Sequence, residues 1–263
     1  MIKNEAQYLE EWIEYHKAIG ISHFYIYDNE STDELKNVLY KYILDGTVQY
    51  IYYPGIGKQR EIYTNAVRKK RLESKYLAFI DTDEFIVPLS SNMNITEIVE
   101  SIFEKDIQAA SIGVNWRMFG DSGYVERPKG LVSESFLHRA EDIWNGNNAQ
   151  CIVKFICNPR LVFHFDEVGE PVYNSGCYGI TENGERIYGA YSKTPSYKTL
   201  QINHYWTRSR EEFFEKQSRG NSNTGIIGDK TWDLYEIYNR NEVYDDTILQ
   251  KWKANTWYEI HKK

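Results

Sequence analysis

Three carboxylates within four positions, Asp81, Asp83 and Glu84, are the side chains of this 263-residue chain best suited to chemistry. They follow a mostly apolar run, residues 76–80, that predicts a buried strand. A strand ending in Asp-x-Asp places hard oxygen ligands at the carboxyl edge of a sheet, where open α/β sheets bind ligands. Such oxygens suit Mg²⁺ or Mn²⁺, which in turn neutralises phosphate. The competing interpretation of the motif alone is a strand that runs into a solvated acidic turn.

A fourth acid occupies an equivalent position. Asp28 follows the strand-like run 23–27, so we expect it at the same sheet edge as Asp81 and Asp83. One acid near a nucleotide base or ribose, with a metal-holding pair near the diphosphate, makes a workable site for a nucleotide sugar. The imidazole of His204 is a candidate for a further metal ligand. Packing or hydrogen bonding inside the protein is the more common role of a lone histidine.

Three basic residues are candidates for contact with a phosphate group: Lys154, Arg208 and Arg219. They could add charge-assisted hydrogen bonds to a diphosphate. Their alternative role is ordinary solvated surface, where most Lys and Arg side chains lie. A Walker-type phosphate loop is not predicted, because Gly55-Ile56-Gly57-Lys58 lacks its spacing and is followed by Gln59 instead of Ser or Thr.

Helices and strands alternate regularly through the first half of the chain. The spacing predicts helices at 5–19, from Thr32 or Asp33 to 43, and at 58–73, and strands at 23–27 and 48–53. This order indicates βαβ units around a parallel sheet, and hence the α/β fold class. The pattern also requires a strand before residue 5. Met1-Ile2 is too short for a full one, so that strand is either a stub or lies upstream of the sequence.

The second half is less regular. Predicted helices lie at 95–105, 210–219, 229–244 and 246–260, and predicted strands at 109–116, 132–137, 151–156 and 160–165. Residues 166–200 are rich in turn formers and predict loops or hairpins. A single compact domain with a helical C-terminal cap is the simplest arrangement.

Composition and charge limit the classes of function. The net charge of -7 and the pI of about 5.5 disfavour nonspecific binding to nucleic acid or to an anionic membrane. Cys151, Cys157 and Cys177 are odd in number and lack CxxC spacing, which predicts reduced thiols in a cytoplasmic protein. No apolar run approaches the roughly 20 residues of a membrane span, and no signal peptide is recognisable. We expect a cytoplasmic protein, in peripheral contact with the inner face of the membrane at most.

Two other functions are compatible with these residues. A Mg²⁺-dependent phosphohydrolase of the dehalogenase type also uses a strand that ends in Asp-x-Asp. Its pattern requires Thr or Val where this chain has Phe85, and it places the motif on the first strand, whereas two strand–helix units precede the motif here. The other alternative is a domain that binds a nucleotide sugar or a glycan without catalysis.

Several short blocks, in order along residues 1 to about 225, resemble a bacterial family-2-like group of glycosyltransferases related to family 92. The blocks are Lys3-Asn4-Glu5 with Leu9-x-x-Trp12, Tyr15-His16 and Gly20; Tyr27-Asp28-Asn29-Glu30-Ser31-x-Asp33; Phe79-Ile80-Asp81-x-Asp83-Glu84-Phe85; Asn115-Trp116-Arg117-x-Phe119-Gly120; Val153-Lys154; and Asn203-His204-Tyr205 through Glu211-Glu212-Phe213 to Lys216-x-x-Arg219-Gly220. Several blocks in order are far more specific than any single block.

This resemblance implies a GT-A, Rossmann-like fold: α/β, with a mostly parallel mixed sheet flanked by helices and a helical C-terminal cap. It implies a glycosyltransferase domain over residues 1–225 and a helical extension over residues 226–263. The implied reaction moves a sugar from a nucleotide-diphosphate donor, a UDP-sugar, to a hydroxyl of a glycan or lipid-linked glycan. Mn²⁺ or Mg²⁺ is the implied cofactor, inversion at the anomeric carbon the implied outcome, and a bacterial surface polysaccharide the implied product.

The resemblance also implies roles for individual residues. The implied metal ligands are Asp81, Asp83 and His204. The implied donor-binding residues are Asn4, Glu5, Asp28, Gln59, Asp81, Lys154 and Arg219. An inverting transfer needs a carboxylate base on the acceptor hydroxyl, and the candidates are Asp121, Asp142 and Asp166. Asp121 is favoured, because it follows a strand that should neighbour the metal strand.

Overall fold

The computed structural model describes residues 1–90, 93–144, 148–167, 169–218, 220, 226–228, 231–252 and 255–262. The helices are α1 (Ala6–Ala18), α2 (Leu35–Leu44), α3 (Gln59–Lys70), α4 (Ile95–Phe103), α5 (Val132–Ser135), α6 (Arg210–Ser218), α7 (Trp232–Tyr238) and α8 (Thr256–His261). The strands are β1 (Phe24–Asp28), β2 (Val48–Tyr52), β3 (Leu77–Ala78), β4 (Glu84–Pro88), β5 (Ala109–Met118), β6 (His138–Arg139), β7 (Val153–Cys157), β8 (Val162–Glu167), β9 (Glu170–Tyr173), β10 (Tyr178–Thr181), β11 (Arg186–Ile187), β12 (Leu200–His204) and β13 (Val243–Tyr244). Two 3₁₀ turns span Ala149–Cys151 and Thr247–Trp252.

A mixed sheet of seven strands forms the centre of the described fold. Its long strand β5 runs parallel to β10 and β12 and antiparallel to β7. On its flanks, β4 pairs antiparallel with β12, β11 with β10, and β3 with β7. The predicted mixed α/β architecture is confirmed, and its assignment to the GT-A type stays a prediction.

The first two strands stand apart from this sheet. β1 and β2 form a separate parallel pair, so the strand that ends at Asp28 and the strand that precedes Asp81 belong to different sheets. The expectation that one sheet edge carries both acids is therefore wrong for the strands that are described. The physical reason is the gap between β1 and β3. Ile2 forms a single parallel bridge with Asp28, and among the described residues no strand pairs with both β1 and β3.

Helix α1 fixes the strand that follows the acidic residues. The indole Nε1 of Trp12 donates to Glu84 O at 2.8 Å, and the Tyr15 hydroxyl donates to Ile86 O at 3.0 Å. His16 completes the contact, since its Nε2 accepts the backbone N–H of Ile86 at 3.2 Å while its Nδ1 donates to Trp12 O at 2.7 Å. Burial lowers the pKa of His16 to about 3, so its imidazole is neutral and structural.

The run at residues 132–137 is predicted to be a short strand, and this prediction is wrong. The structure has the short helix α5 there, because the Glu11 carboxylate of α1 accepts the backbone N–H groups of Val132 at 2.8 Å and Ser133 at 2.9 Å. The first N–H groups of a helix have no partner within the helix, and an anion bonded to them stabilises that turn. A residue 121 positions away in the sequence thus decides the local conformation.

The C-terminal helices are shorter than predicted. α7 begins after Thr231, whose hydroxyl caps it by accepting from the backbone N–H of Leu234 at 3.4 Å. The helix predicted at 246–260 divides into a 3₁₀ turn and α8. Asn255 caps α8, because its Oδ1 accepts from the backbone N–H of Tyr258 at 3.0 Å. The buried Trp252 ring packs against Tyr15 in the main core. The proposed boundary between residues 225 and 226 stays a prediction.

A buried carboxylate fixes the segment that enters β12. Glu182 accepts hydrogen bonds from Ser196 Oγ at 2.6 Å and from the backbone N–H groups of Lys198, Thr199 and Leu200 at 2.6, 2.7 and 2.7 Å. Burial alone would raise the pKa of Glu182, but the bonds from Ser196 and Thr199 outweigh it and hold the pKa below its ordinary value. Glu182 is therefore an ionised anchor for this segment.

In the part of the chain that is described, no helix has the length and apolar character needed to cross a membrane.

Candidate active site

The acidic turn, defined as Asp81–Glu84, connects β3 to β4. The backbone N–H of Asp81 donates to Glu84 Oε2 at 2.9 Å, and the backbone N–H of Glu84 donates to Asp81 O at 3.1 Å. These two reciprocal bonds close the turn on itself. Because β3 ends at Ala78, the acids lie in a turn between two strands and not directly at the end of the strand predicted over residues 76–80.

Lys154 neutralises one side of the acidic turn. Its side chain, on β7 and 12% exposed, places Nζ 2.7 Å from Asp81 Oδ2 and 3.3 Å from Glu84 Oε2. From the start of α3, Gln59 Nε2 donates to Asp81 Oδ1 at 3.4 Å. Burial alone would raise the pKa of Asp81, but the charge of Lys154 outweighs it and holds the pKa below its ordinary value. The structure thus brings three predicted donor-binding residues together.

Lys216 and His204 flank the other side of the turn. Lys216, on α6, forms an ion pair with Asp83 Oδ2, and His204 Nε2 lies 3.7 Å from the same oxygen. His204 stands opposite Glu84 where β12 pairs with β4. Burial alone would raise the pKa of Asp83, but Lys216 and His204 outweigh it and hold the pKa well below its ordinary value. Asp83 is therefore ionised and paired.

Two tryptophans border this charged cluster. The Trp116 ring lies 4.2 Å from the His204 ring and 5.7 Å from Lys154 Nζ, while the Trp206 ring lies 5.9 Å from Lys216 Nζ. Aromatic faces attract cations, so these rings help to hold both lysines. They also combine a flat apolar surface with a polar edge, as surfaces that contact sugars do.

The pKa of Glu84 is raised, whereas the pKa values of Asp81 and Asp83 are lowered. Its side chain is fully buried, its Oε1 has no hydrogen-bond partner in the described structure, and His204 Nε2 lies 3.9 Å from that oxygen. Burial raises the pKa of Glu84 from 4.5 to about 7 in spite of Lys154. The carboxyl therefore exchanges a proton near neutral pH.

We expect Glu84→Gln to flatten the dependence of stability on pH. Between about pH 4.5 and 7 the folded protein holds a proton on Glu84 that the unfolded chain has lost, so the free energy of unfolding falls as pH rises. This group accounts for a loss on the order of 3 kcal/mol across that window. Urea titrations in EDTA at pH 5, 6, 7 and 8 would measure it, with the exposed Glu126→Gln as control. An unchanged slope in the Glu84 variant would exclude Glu84 as the group that titrates.

The predicted nucleoside side of the site is built around Asp28. Asp28 is buried, and its carboxylate accepts from Ser31 N at 2.9 Å and from the Tyr50 hydroxyl at 2.5 Å. Asn4 joins the same loop, since its backbone N–H donates to Ser31 Oγ at 3.0 Å and its Oδ1 accepts from Thr32 N at 2.7 Å. Asn4 has a φ of 53°, a left-handed conformation that asparagine tolerates better than most residues.

Glu5 and Arg208 form a buried ion pair. Arg208 Nη1 lies 3.1 Å from Glu5 Oε2, and the guanidinium stacks over Tyr8 with 3.6 Å to the ring centroid. Burial alone would lower the pKa of Arg208, but Glu5 and Tyr8 outweigh it and raise the pKa. Within the described structure, Nε and Nη2 of Arg208 are buried without a hydrogen-bond partner. These N–H groups are suited to an anion.

The structure places the favoured base candidate in a closed network. The Asp121 carboxylate accepts from the Tyr235 hydroxyl at 2.5 Å, Asn239 Nδ2 at 2.9 Å, Gly123 N at 2.8 Å and Asn241 Nδ2 at 3.2 Å. Four bonds use both oxygens, and three of the donors lie in α7 or directly after it. This arrangement is typical of a structural carboxylate that ties the C-terminal segment to the domain. The base role of Asp121 stays a prediction without support from this geometry.

The two alternative base candidates are more accessible. Asp142 is 57% exposed and is oriented by Arg117 at 2.6 Å and Arg139 at 3.0 Å. Asp166 is 65% exposed, and its Oδ1 lies 2.7 Å from His164 Nε2. Both carboxylates can meet an acceptor without first breaking a buried network.

Lys216 has no predicted role, although the structure places it on Asp83. The signal available in the sequence was its position in the last of the resembling blocks, three residues before Arg219. Lys216 is 133 residues from Asp83, so no local pattern links the two. Arg219, predicted to bind the donor, lies outside the described residues.

The ligand atoms present fit a divalent cation whose coordination shell is completed by a substrate. Asp83 and His204 offer a hard carboxylate oxygen and an imidazole nitrogen on one side of the turn. Asp81, the third predicted ligand, is paired with Lys154, as Asp83 is with Lys216. Among the described residues there is no group of three or more His, Cys, Asp or Glu side chains that could hold a metal. Mg²⁺ is commonly held by one or two carboxylates together with substrate phosphates, and this donor set suits that mode.

Comparison with known proteins finds sequences that are similar to this chain. A glycosyltransferase family 92 protein of Ricinus communis is 28% identical over 141 residues, which cover 53% of this chain and 25% of that protein. A family 92 protein of Oryza sativa subsp. japonica is 28% identical over 142 residues, which cover 53% of this chain and 24% of that protein. The chain spans about a quarter of the length of these relatives.

Among solved structures, S. aureus TarS 1-349 is similar with a TM-score of 0.39 and 13% identity, over 82% of this chain and 61% of that chain. The sequence profile of glycosyltransferase family 92 matches residues 2–238, which is most of the chain. The predicted relation to that family is confirmed: the chain belongs to glycosyltransferase family 92.

Proposed function

We propose that this domain transfers a sugar from a nucleotide-diphosphate donor to a hydroxyl group of an acceptor. The observation that carries the proposal is the convergence of Asp81, Asp83, Lys154, Lys216 and His204 at one turn of a family 92 domain. Breaking a sugar–phosphate bond leaves a diphosphate anion. Positive groups that are already fixed beside that anion stabilise the charge as it develops.

Three basic side chains are suited to hold the diphosphate. Lys154 and Lys216 are positioned by their carboxylates, and Arg208 has two buried N–H groups without a partner in the described structure. Charge-assisted bonds from such groups to phosphate are about twice as strong as neutral ones. On the other side, Asp28 and Asn4 shape a loop that would contact the nucleoside, which we propose to be uridine.

Mn²⁺ or Mg²⁺ is part of the proposal as the cofactor. Asp83 and His204 would hold it, with Asp81 adjacent, and a bound cation would supply further neutralisation of the diphosphate. If Asp83 held a cation through Oδ2, the oxygen now paired with Lys216, the lysine would be available to donate to a phosphate oxygen. Lys216 is thus suited to pair with the Asp83 carboxylate before the reaction and with the diphosphate leaving group during it.

Inversion at the anomeric carbon requires a base on the acceptor hydroxyl. We propose Asp142 for this role, because it is exposed and held by Arg117 on β5, the residue next to Trp116. Trp116 in turn contacts His204 in the charged cluster. A glycan or lipid-linked glycan acceptor would stack on the exposed parts of Trp116 and Trp206. A cytoplasmic site at the inner face of the membrane and a surface polysaccharide as product complete the proposal.

Donor binding is the direct test. We expect a UDP-sugar with Mn²⁺ to raise the melting temperature, since a ligand at 100 times its Kd stabilises the folded state by about 2.7 kcal/mol. GDP-, CDP- and dTDP-sugars serve as comparisons, and each is measured with Mn²⁺ and with EDTA. Release of UDP from the stabilising donor, with water or an added glycan as acceptor, then measures turnover.

Each outcome separates the proposal from its alternatives. Hydrolysis of phosphomonoesters without use of any sugar nucleotide would indicate a phosphohydrolase instead. Stabilisation by a sugar nucleotide with no release of the nucleoside diphosphate on any acceptor or water would indicate a binding domain. An unchanged melting temperature with all donors would contradict the proposal itself.

A further inference from the structure

The aromatic row, defined as Trp206, Tyr238 and Tyr191, leads from the charged cluster to the protein surface. Trp206 stands at the inner end, where its ring lies 5.9 Å from Lys216 Nζ. The rings of Trp206 and Tyr238 lie 4.9 Å apart, at an angle of 64°. Burial and the nearby Tyr191 raise the pKa of Tyr238. The first two side chains are half-buried, whereas Tyr191 is 52% exposed.

The row rests on one small core. Trp206 and Tyr238 pack, together with Trp116, against a cluster of buried residues that is separate from the main core. The members of this cluster are Met118, Ala140, Trp144 and Ala149. Because the inner sides of the three rings cover the same cluster, their outer sides belong to one stretch of surface. That surface is continuous with the charged cluster, since the Trp116 ring lies 4.2 Å from the His204 ring.

The loop that carries Tyr191 is fixed against β7. Val153 N donates to Ala190 O at 3.0 Å, and Ser192 N donates to Cys151 O at 2.8 Å. These two bonds flank Tyr191 in the sequence and hold its backbone beside the start of the strand. A ligand that binds to a fixed backbone has little ordering cost to overcome. The aromatic row is therefore a preformed surface.

Polar atoms without hydrogen-bond partners accompany these rings. At the inner end, Trp116 Nε1 and His204 Nδ1 are buried with no partner in the described structure. Farther along, the Arg240 guanidinium lies 5.3 Å from the Trp144 ring, whose centroid is 6.1 Å from that of Tyr238. Within the same described residues, Arg240 Nε is also buried without a partner. A buried N–H without a partner costs free energy, which a ligand that supplies an oxygen would recover.

Flat rings and unpaired N–H groups together are suited to carbohydrate. A sugar ring has C–H groups on its faces and hydroxyl oxygens on its edge, so it can cover an aromatic ring and accept from a nearby N–H. A nucleic acid strand also stacks on aromatic rings, but it requires a positively charged groove. Arg117 is paired with Asp142 and Arg240 with Glu242, and the chain has a net charge of -7. The surface therefore favours a glycan.

We propose that the aromatic row binds units of the acceptor glycan that lie beyond the unit receiving the sugar, with one unit on each ring. The acceptor is then a glycan chain and not a single sugar. This inference rests on the proposed transfer, which places the reacting hydroxyl beside the acidic turn. The next unit would lie on Trp206, and later units on Tyr238 and Tyr191. Contacts with remote units are the same before and during the reaction, so they would lower the KM for the acceptor and leave kcat nearly unchanged.

Binding as a function of chain length is the test. Cello-, manno-, galacto- and chito-oligosaccharides of one to six units are titrated into the protein in EDTA without donor, and tryptophan fluorescence is measured. We expect the affinity for at least one series to rise by at least about 100-fold from one unit to six. Tyr191→Ala should lower the ratio of these two affinities by at least about tenfold. The control is Tyr40→Ala, which removes a 63% exposed tyrosine from α2. The KM for the same glycans, measured by release of the nucleoside diphosphate, should follow the affinities.

The outcomes separate this inference from the proposed transfer. An affinity that does not change with chain length, or that Tyr191→Ala lowers equally at every length, would overturn the assignment to remote units. If a donor stabilises the protein and is turned over in water but no glycan binds at 10 mM, the row proposal fails and the transfer stands. Length-dependent glycan binding by a protein that turns over no donor would refute the transfer and support the row as a glycan site. Tighter binding of a proline-rich peptide than of any glycan would assign the rings to a protein partner and overturn the glycan.

Discussion

Asp83→Asn should lower the release of UDP from the donor by at least about 10²-fold, the scale on which an active site loses rate when one preorganised electrostatic group is removed. Asp83 is the residue on which Lys216 and His204 converge, and it is held ionised by them. Asparagine keeps the size of the side chain but removes the charge. The position of Lys216 is then lost, together with one of the two ligands of the proposed cation.

The fold should survive this substitution with a small change. Lys216 is 17% exposed and long enough to turn its ammonium toward water, so we expect a melting temperature only a few degrees lower. Asp45→Asn, at an exposed position beyond α2, is the control for loss of one negative charge. Turnover within threefold of the parent protein, at saturating donor and Mn²⁺, would remove Asp83 from the mechanism.

Glu182→Gln should destabilise the protein by about 3–5 kcal/mol, because a neutral amide cannot accept all the N–H groups that now converge on the carboxylate. Ser196, Lys198, Thr199 and Leu200 would lose a charged acceptor at once. For a chain of this size the expected fall in melting temperature is roughly 10 °C. The exposed Glu236→Gln on α7 is the matched control and should change stability by less than about 0.5 kcal/mol.

The same variant has a defined pH dependence. Because the pKa of Glu182 is below its ordinary value in the folded state, its contribution to stability is present above the unfolded pKa and disappears as pH falls through the folded value. The difference in stability between the parent protein and Glu182→Gln should therefore narrow on acidification below about pH 4.5. A difference that stays constant down to pH 3 would contradict the role of an ionised anchor.

The sequence is most informative where structure is decided locally. The helix α1 and the strands β1 and β2 follow from apolar spacing, because each buries one face or run of its own residues. The run 132–137 fails for the opposite reason, since Glu11 from a distant helix supplies the partner for its backbone. Similarly, three close carboxylates identify the acidic turn, whereas Lys216 reaches it only through the folded chain.

The closed network of Asp121 shows a second limit of sequence reasoning. A carboxylate that follows a strand near the acidic turn is a reasonable base candidate, and nothing in the neighbouring sequence distinguishes it from a structural residue. The distinction lies in Tyr235, Asn239 and Asn241, more than 110 residues later, which use both of its oxygens. The pairing of a residue, and not its type, separates an anchor from a catalytic group.

The lysine–carboxylate pairs at the acidic turn determine the electrostatic field that the turn exerts on a diffusing anion. The charges of Asp81 and Asp83 are each balanced at short range by Lys154 and Lys216, and burial raises the pKa of Glu84 to about 7. Opposite charges this close produce almost no field beyond one Debye length of about 8 Å. On a protein of net charge -7, the turn thus neither repels nor attracts a diphosphate from a distance. The turn itself would therefore not steer a diphosphate toward the site, and discrimination would depend on how long the ligand stays once its oxygens meet the lysines.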